Sequence, residues 1–199
     1  MDLNLDEELE KSRQFQALAD EHLVDISASD NSKNRAALAF FHLCLEHQHG
    51  LHTLVEHRIF GSALAILRPI YESYVRGMWS YHCATHEQII AFIKKDELPK
   101  IRQMLGQIMA TVEGMEGLEK SHNDTWAWMN DGTHGGSMQI RARAQGDTIQ
   151  NTQSDPYMAA ALVHGRHWAF LAAVAMCDVC KRPDLYTMLH FQRIELDGA

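Results

Sequence analysis

The chain has 199 residues, a length that favours one domain with a sizeable core. Hydrophobic residues make up 46% of it and charged residues 22%, with only 4 prolines, a balance that excludes extended disorder and low-complexity linkers. The formal net charge of -8 disfavours non-specific binding to DNA, although a local cluster of arginines can still hold one phosphate or one RNA end.

The N-terminal segment, residues 1–8, is acidic and lacks the basic and apolar regions of a signal peptide. Apolar stretches at residues 159–163 and 169–177 are separated by His164, Arg166 and His167, and each is too short to span a bilayer. We therefore expect a cytoplasmic protein with no membrane partner.

Hydrophobic periodicity predicts helices at about 5–26, 32–58, 60–84, 86–94, 97–113, 119–130 and 156–181, and a short helix near 183–190. Ser154-Asp155-Pro156 marks the clearest start, because proline suits the first helical position. No segment alternates as a strand does, and residues 131–153 form the predicted glycine-containing irregular region. The prediction is one all-α domain over residues 1–199, a helical bundle built on an antiparallel hairpin (32–58 and 60–84) plus a long C-terminal helix (156–181).

A charged row lies within the third predicted helix. Arg68, Glu72 and Arg76 recur every four residues and so share one face, yet the flanking positions are apolar or aromatic and residues 59–83 include no lysine. Three interpretations are open. The row forms surface ion pairs, or it forms a buried structural network, or it lines a functional pocket.

The second predicted helix carries Glu46 and His49. If the chain folds back near residue 60, equal distances from the turn place both side chains level with the charged row of Arg68, Glu72 and Arg76. We therefore predict that the two helices meet through their ionisable sides and enclose a site.

Glycines surround one histidine in Asp131-Gly132-Thr133-His134-Gly135-Gly136. Backbone amides in such a loop can approach a ligand, so we predict that His134 lies at the lip of the site. The alternative is that His134 packs on Trp128. In the pocket interpretation Arg76, Glu72 and His134 are candidate catalytic residues.

In the same interpretation Arg68, Glu46 and His49 are candidate binding residues, because arginine holds phosphoryl oxygens and histidine exchanges protons near neutral pH. We predict no resident cofactor or metal ion. The cysteines Cys44, Cys83, Cys177 and Cys180 lie in apolar helical surroundings and are expected to be reduced and buried, although Cys177 and Cys180 have CxxC spacing.

Two stretches resemble an uncharacterised family of small bacterial proteins. They are residues 35–49 and residues 61–79, the second containing Arg68-Pro69-x-x-Glu72-x-x-x-Arg76-Gly77. Thr133-His-Gly-Gly136 fits the same pattern. The resemblance covers about residues 33–180 and implies a helical fold without assigning an activity.

The chain is also similar to the HEPN helical bundles, many of which are ribonucleases of toxin or phage-defence systems with an Arg-x4-6-His motif. Arg76-Gly-Met-Trp-Ser-Tyr-His82 has that spacing. In one continuous helix residues six apart point about 240° away from each other, so this pair converges only if the helix breaks at Gly77.

Three functions follow from these patterns. The first is a metal-independent nuclease or nucleotide-binding factor, whose partner is RNA or a nucleotide. The second is a carboxylate-histidine metal site, because Glu46-His-Gln-His49 and Glu119-Lys-Ser-His122 have the Glu-x-x-His spacing of di-iron bundles. The third is a non-enzymatic interaction module that forms a homodimer or other homo-oligomer.

Overall fold

A computed structural model describes residues 3–23, 26–27, 31–145 and 147–197. Within these ranges the chain forms nine helices and one minimal β-hairpin, whose bounds follow in chain order. They are α1 Leu5–Leu23, α2 Ser32–Glu56, α3 Phe60–His82, α4 His86–Lys95, α5 Ile101–Thr111, α6 Leu118–His134, α7 Ser137–Arg141, β1 Ala144–Gln145, β2 Thr148–Ile149, α8 Asp155–Val179 and α9 Pro183–Asp197. The predicted all-α bundle is confirmed.

Helices α2 and α3 form the predicted antiparallel hairpin and pack through small and apolar residues. A Cβ on Gly77 would come within 2.4 Å of the Phe41 ring, so the ring of Phe41 fills the space that Gly77 leaves. Gly50 meets Ile66 in the same way, nearer the turn. Helix α3 also packs against α5, α6 and α8, which explains why so few of its positions are polar.

The long C-terminal helix α8 lies inside the bundle. By length and composition α8 could span a bilayer, contrary to the expectation from its two short apolar stretches, but 67% of its most apolar window is buried in the protein. Such burial is typical of the core helix of a helical bundle.

A buried ion pair fixes α1 to α8. Arg166 donates to Glu8 at 2.7 Å, and both side chains are almost fully enclosed. Lys11 reaches the other oxygen of Glu8 at 3.0 Å. The acidic start of the first helix is thus a tertiary contact as well as a favourable helix N-terminus.

The predicted irregular region, residues 131–153, is more ordered than expected. Helix α6 continues to His134 and ends at Gly135, whose φ of 62° is left-handed. The carboxylate of Asp131 then accepts the backbone N–H groups of Met138 and Gln139, both at 3.3 Å, and so caps α7. Sequence periodicity missed α7 and the hairpin because each is too short to show a period.

Burial shifts the pKa of several side chains. Desolvation lowers the pKa of five histidines, namely His47, His52, His82, His122 and His164. Burial also raises the pKa of the Cys177 thiol to about 11 and raises that of its CxxC neighbour Cys180. A thiol with a raised pKa is a poor nucleophile at neutral pH, which agrees with a packing role for this pair.

Candidate functional site

The site begins at a proline inside α3. Pro69 has no backbone N–H, so the Ala65 carbonyl lacks its usual helical donor. The hydroxyl of Thr133, at the end of α6, reaches that carbonyl at 3.2 Å while also lying 2.9 Å from the Met129 carbonyl. Gly132 permits this approach, since a Cβ there would lie 2.7 Å from the Leu64 carbonyl oxygen. The last turn of α6 is therefore held directly against the charged row.

The charged row forms a continuous network along α3. The Nε of Arg68 donates to Glu72 at 2.6 Å, and the Nη2 of Arg76 donates to the other carboxylate oxygen at 2.7 Å. The Glu72 side chain is 11% exposed, whereas those of Arg68 and Arg76 are 26% and 33% exposed. The row is thus neither a fully solvated surface nor a closed core network. It is a half-open edge on which both arginines retain access to water.

Arg68 is also held by α6. Its Nη1 donates to the Asn130 side-chain oxygen at 3.0 Å and contacts the His134 Nε2 at 2.9 Å, and its guanidinium lies 4.8 Å from the Trp126 ring. His134 therefore contacts the row through Arg68, and its place at the lip of a site stays a prediction. Trp128 packs on the rings of Tyr157 and His164, not on His134.

The Arg68 contact limits the chemistry open to His134. A guanidinium has donors and no acceptor, so the His134 Nε2 must accept with its lone pair. In this arrangement that nitrogen cannot also remove a proton from a substrate. The geometry gives His134 a positioning contact, and its catalytic role stays a prediction.

An open groove of about 870 Å³ runs beside the row. One wall is α3 with α6, and the other wall is the C-terminal end of α4 and the segment leading into α5. The charged or polar lining residues are Arg68, Glu72, Arg76, Asp96, Lys100, Arg102, His122 and Asn123. Apolar lining residues include Phe40, Phe92 and Trp126, and the rings of Phe40 and Phe92 stack with centroids 5.4 Å apart.

The groove has the opposite charge to the protein as a whole. Four basic side chains line it against two acidic ones, Glu72 and Asp96, while the chain carries a formal charge of -8. Lys100 and Arg102 form no ion pair with any residue that the structure describes. The groove is therefore suited electrostatically to an anion.

Glu46 and His49 do not join this site. They line a separate groove between α1 and α2, together with Phe15 and Gln16 of α1. The prediction that the two helices meet through their ionisable sides is wrong. The Phe41 side of α2 packs against Gly77 of α3, and the side that carries Glu46 and His49 lies toward α1.

The Arg76 and His82 pair does not converge either. Helix α3 continues through Gly77 to His82 without a break, because Gly77 serves helix packing. The two Glu-x-x-His motifs also lie apart, since Glu46 faces α1 while His122 stacks on Tyr71. In the described ranges no three His, Cys, Asp or Glu side chains are grouped so that they could hold a metal ion.

Several residues of this site were not predicted from the sequence, among them Lys100, Arg102 and Asn130, and His122 was considered only as part of a Glu-x-x-His motif. Lys100 and Arg102 lie just after Pro99, in a segment predicted to be helical, and no period marks them as members of the row. Asn130 and His122 lie on α6 among polar neighbours, where nothing in the sequence distinguishes the side that faces α3. Tertiary packing alone brings these side chains to the row.

Comparison with known proteins identifies a family but no activity. No curated protein and no solved structure matches the chain. A family model described as "Family of unknown function (DUF6988)" matches residues 41–193, which include all of α3 with the charged row and every residue that lines the groove except Phe40. The protein therefore belongs to this family of unknown function.

Proposed function

We propose that the groove binds a small anionic ligand of the nucleotide or phosphorylated class. The observation that supports this proposal is the excess of basic over acidic side chains lining a groove of an acidic protein. Arginine and lysine donate charge-assisted hydrogen bonds to phosphate oxygens, and arginine can do so with two parallel bonds.

The apolar side of the groove supports the nucleotide class in particular. Phe40, Phe92 and Trp126 line the same groove as Arg76 and Arg102. A nucleotide combines a flat ring with a phosphate, so both kinds of surface would be used. Ligand pockets are commonly lined in this way, by apolar and aromatic walls with a few polar groups that set orientation.

Isothermal titration with adenosine 5′-diphosphate, inorganic phosphate and a short RNA tests the proposal. Arg102→Ala should weaken binding about tenfold, because one charge-assisted hydrogen bond is worth about 1.5 kcal/mol. The matched control is Arg141→Ala, which removes the same charge from an exposed position on α7 outside the groove. Equal affinity of both variants, or no binding by the wild-type protein, would exclude this site.

We propose RNA cleavage without a metal ion as the reaction that such a site would support, in a toxin or phage-defence setting. Arg76 would hold a phosphoryl oxygen, and proton transfer would come from His134 once its Nε2 has left the Arg68 guanidinium. Cleavage of a labelled RNA in the presence of EDTA, lost on Arg76→Ala and on His134→Ala, is the expected result. No cleavage of any RNA tested would leave a binding protein.

As a second candidate function we propose a homo-oligomeric interaction module. We also propose that the protein is cytoplasmic. Ile93 is 65% exposed on α4 and lines a mainly apolar groove with Ala39 and Leu43 of α2. A second copy could cover this surface. Light scattering should then show an oligomer that Ile93→Glu dissociates, and a monomeric wild-type protein would exclude this function.

A further inference from the structure

A buried tyrosine and histidine pair lies behind the groove. The Tyr71 hydroxyl is 3.0 Å from the His122 Nδ1, and the two rings stack with centroids 5.7 Å apart. Tyr71 is fully buried and His122 is 6% exposed. Among the residues that the structure describes, neither the Tyr71 hydroxyl nor the His122 ring has a second hydrogen-bond partner.

Burial of Tyr71 determines which atom of the pair carries the proton. If His122 donated from Nδ1, the Tyr71 O–H would have no acceptor in the core, and such a buried donor is unfavourable. If Tyr71 donates to Nδ1 instead, both buried atoms are satisfied. The second arrangement requires a neutral imidazole whose hydrogen is on Nε2.

The Nε2 is the nitrogen that a ligand could reach. His122 lines the groove with Arg76 and Arg102, and its Nε2 is not among the enclosed polar atoms that lack a partner. Resting on the proposed function, we infer that His122 contacts the ligand and donates its Nε2–H to an oxygen of the anion. Tyr71 is a positioning residue, because its hydroxyl holds the imidazole in the donor tautomer.

The surroundings of His122 favour the same assignment. Burial and the nearby Arg102 lower the pKa of His122 and outweigh the opposing effect of Glu119, which favours the neutral ring with the Nδ1 lone pair that Tyr71 needs. Lys100, Arg76 and Arg102 are also donors without acceptors. With four basic side chains and His122 against the carboxylates of Glu72 and Asp96, the groove lining favours an oxyanion such as phosphate over a cationic molecule.

Two substitutions distinguish a ligand contact from a purely structural role. The amide nitrogen of glutamine lies near the position of Nε2, whereas the amide of asparagine lies near that of Nδ1. His122→Gln should therefore keep the affinity for inorganic phosphate within a few-fold. His122→Asn keeps a partner for Tyr71 but loses the donor to the groove, and should weaken phosphate binding about tenfold or more.

Nitrogen-15 NMR of the full-length wild-type protein gives a readout that does not depend on the variants folding. The His122 spectrum should show the Nε2–H tautomer, and the Nε2–H resonance should shift when inorganic phosphate is added. In Tyr71→Phe the ring should populate both tautomers. An Nδ1–H or doubly protonated ring, or an unmoved resonance at saturating phosphate, would overturn the assignment.

The outcomes separate this inference from the proposed function. If the wild-type protein binds neither phosphate nor adenosine 5′-diphosphate, both fail together. If it binds them while His122→Asn retains affinity at least as well as His122→Gln, the role of His122 is refuted and the anion site remains. The predicted tautomer, the resonance shift and the stronger effect of asparagine together support the inference.

Discussion

Replacing Glu72 by glutamine should make the protein less stable and at the same time a better binder of anions. Glu72 is shared by Arg68 and Arg76 through charged hydrogen bonds of 2.6 and 2.7 Å. Such bonds contribute about 1.5–3 kcal/mol each when buried. Because the two arginines keep 26% and 33% exposure, water replaces part of that contribution, and about 2 kcal/mol for the pair is the expected loss.

A loss of about 2 kcal/mol corresponds to a fall in Tm of about 4–8 °C for a chain of this size. The substitution also leaves four basic side chains against one acidic side chain in the groove. An anion should therefore bind more tightly to Glu72→Gln than to the wild-type protein. At about one hundred times its Kd, a ligand stabilises the folded state by about 2.7 kcal/mol, enough to offset the loss.

Thermal unfolding in inorganic phosphate and in sodium chloride of equal ionic strength measures both effects. The matched control is Asp124→Asn, which breaks the Lys120–Asp124 pair of the same i,i+4 spacing on an exposed face and should change the unfolding free energy by no more than about 0.5 kcal/mol. If phosphate stabilises Glu72→Gln no more than the wild-type protein, the row is a structural network and the anion site is refuted. An unchanged Tm would instead show that the row is a set of loose surface pairs.

Gly77→Ala should lower the free energy of unfolding by about 1–3 kcal/mol, because its Cβ would overlap the Phe41 ring. Gly106→Ala should raise that free energy by about 0.5–1 kcal/mol, because no other atom lies within 4 Å of the added Cβ. Denaturant titration measures both changes. Glu8→Gln should cost about 3 kcal/mol, because Arg166 loses its buried carboxylate, and a loss below about 1 kcal/mol in the same titration would contradict that contact. The five histidines whose pKa is lowered by burial should make stability fall as the pH decreases below about 6.5. In that range the unfolded chain takes up protons before the folded protein does, so the unfolding free energy has a positive slope against pH, and a flat slope in urea titrations would refute it.

The sequence was sufficient to predict the hairpin and the charged row, because both depend on local spacing. A repeat of four fixes Arg68, Glu72 and Arg76 on one side of α3 whatever the rest of the chain does. The apolar flanks of α3 likewise required burial among other helices.

The partners of the row could not be predicted from the sequence, because they depend on rotation and on distant contacts. The direction in which Glu46 points is fixed by the Phe41 ring over Gly77, a packing detail that periodicity does not encode. Lys100 and Arg102 reach the groove from a different segment, and Asn130 reaches Arg68 because α6 docks at Pro69. Each of these is a tertiary contact between elements that are far apart in the chain.

Because α6 docks at Pro69, the effects of substitutions at Pro69 and at Thr133 should depend on each other, although the two residues lie 64 positions apart in the chain. An alanine at position 69 would return a backbone donor to the Ala65 carbonyl, and the Thr133 hydroxyl would then compete with it. We expect the two changes to be non-additive in a double-mutant cycle, with Thr133→Val costly beside proline and nearly silent beside alanine. The unpaired carbonyl that Pro69 leaves in α3 thus helps to determine where α6 ends.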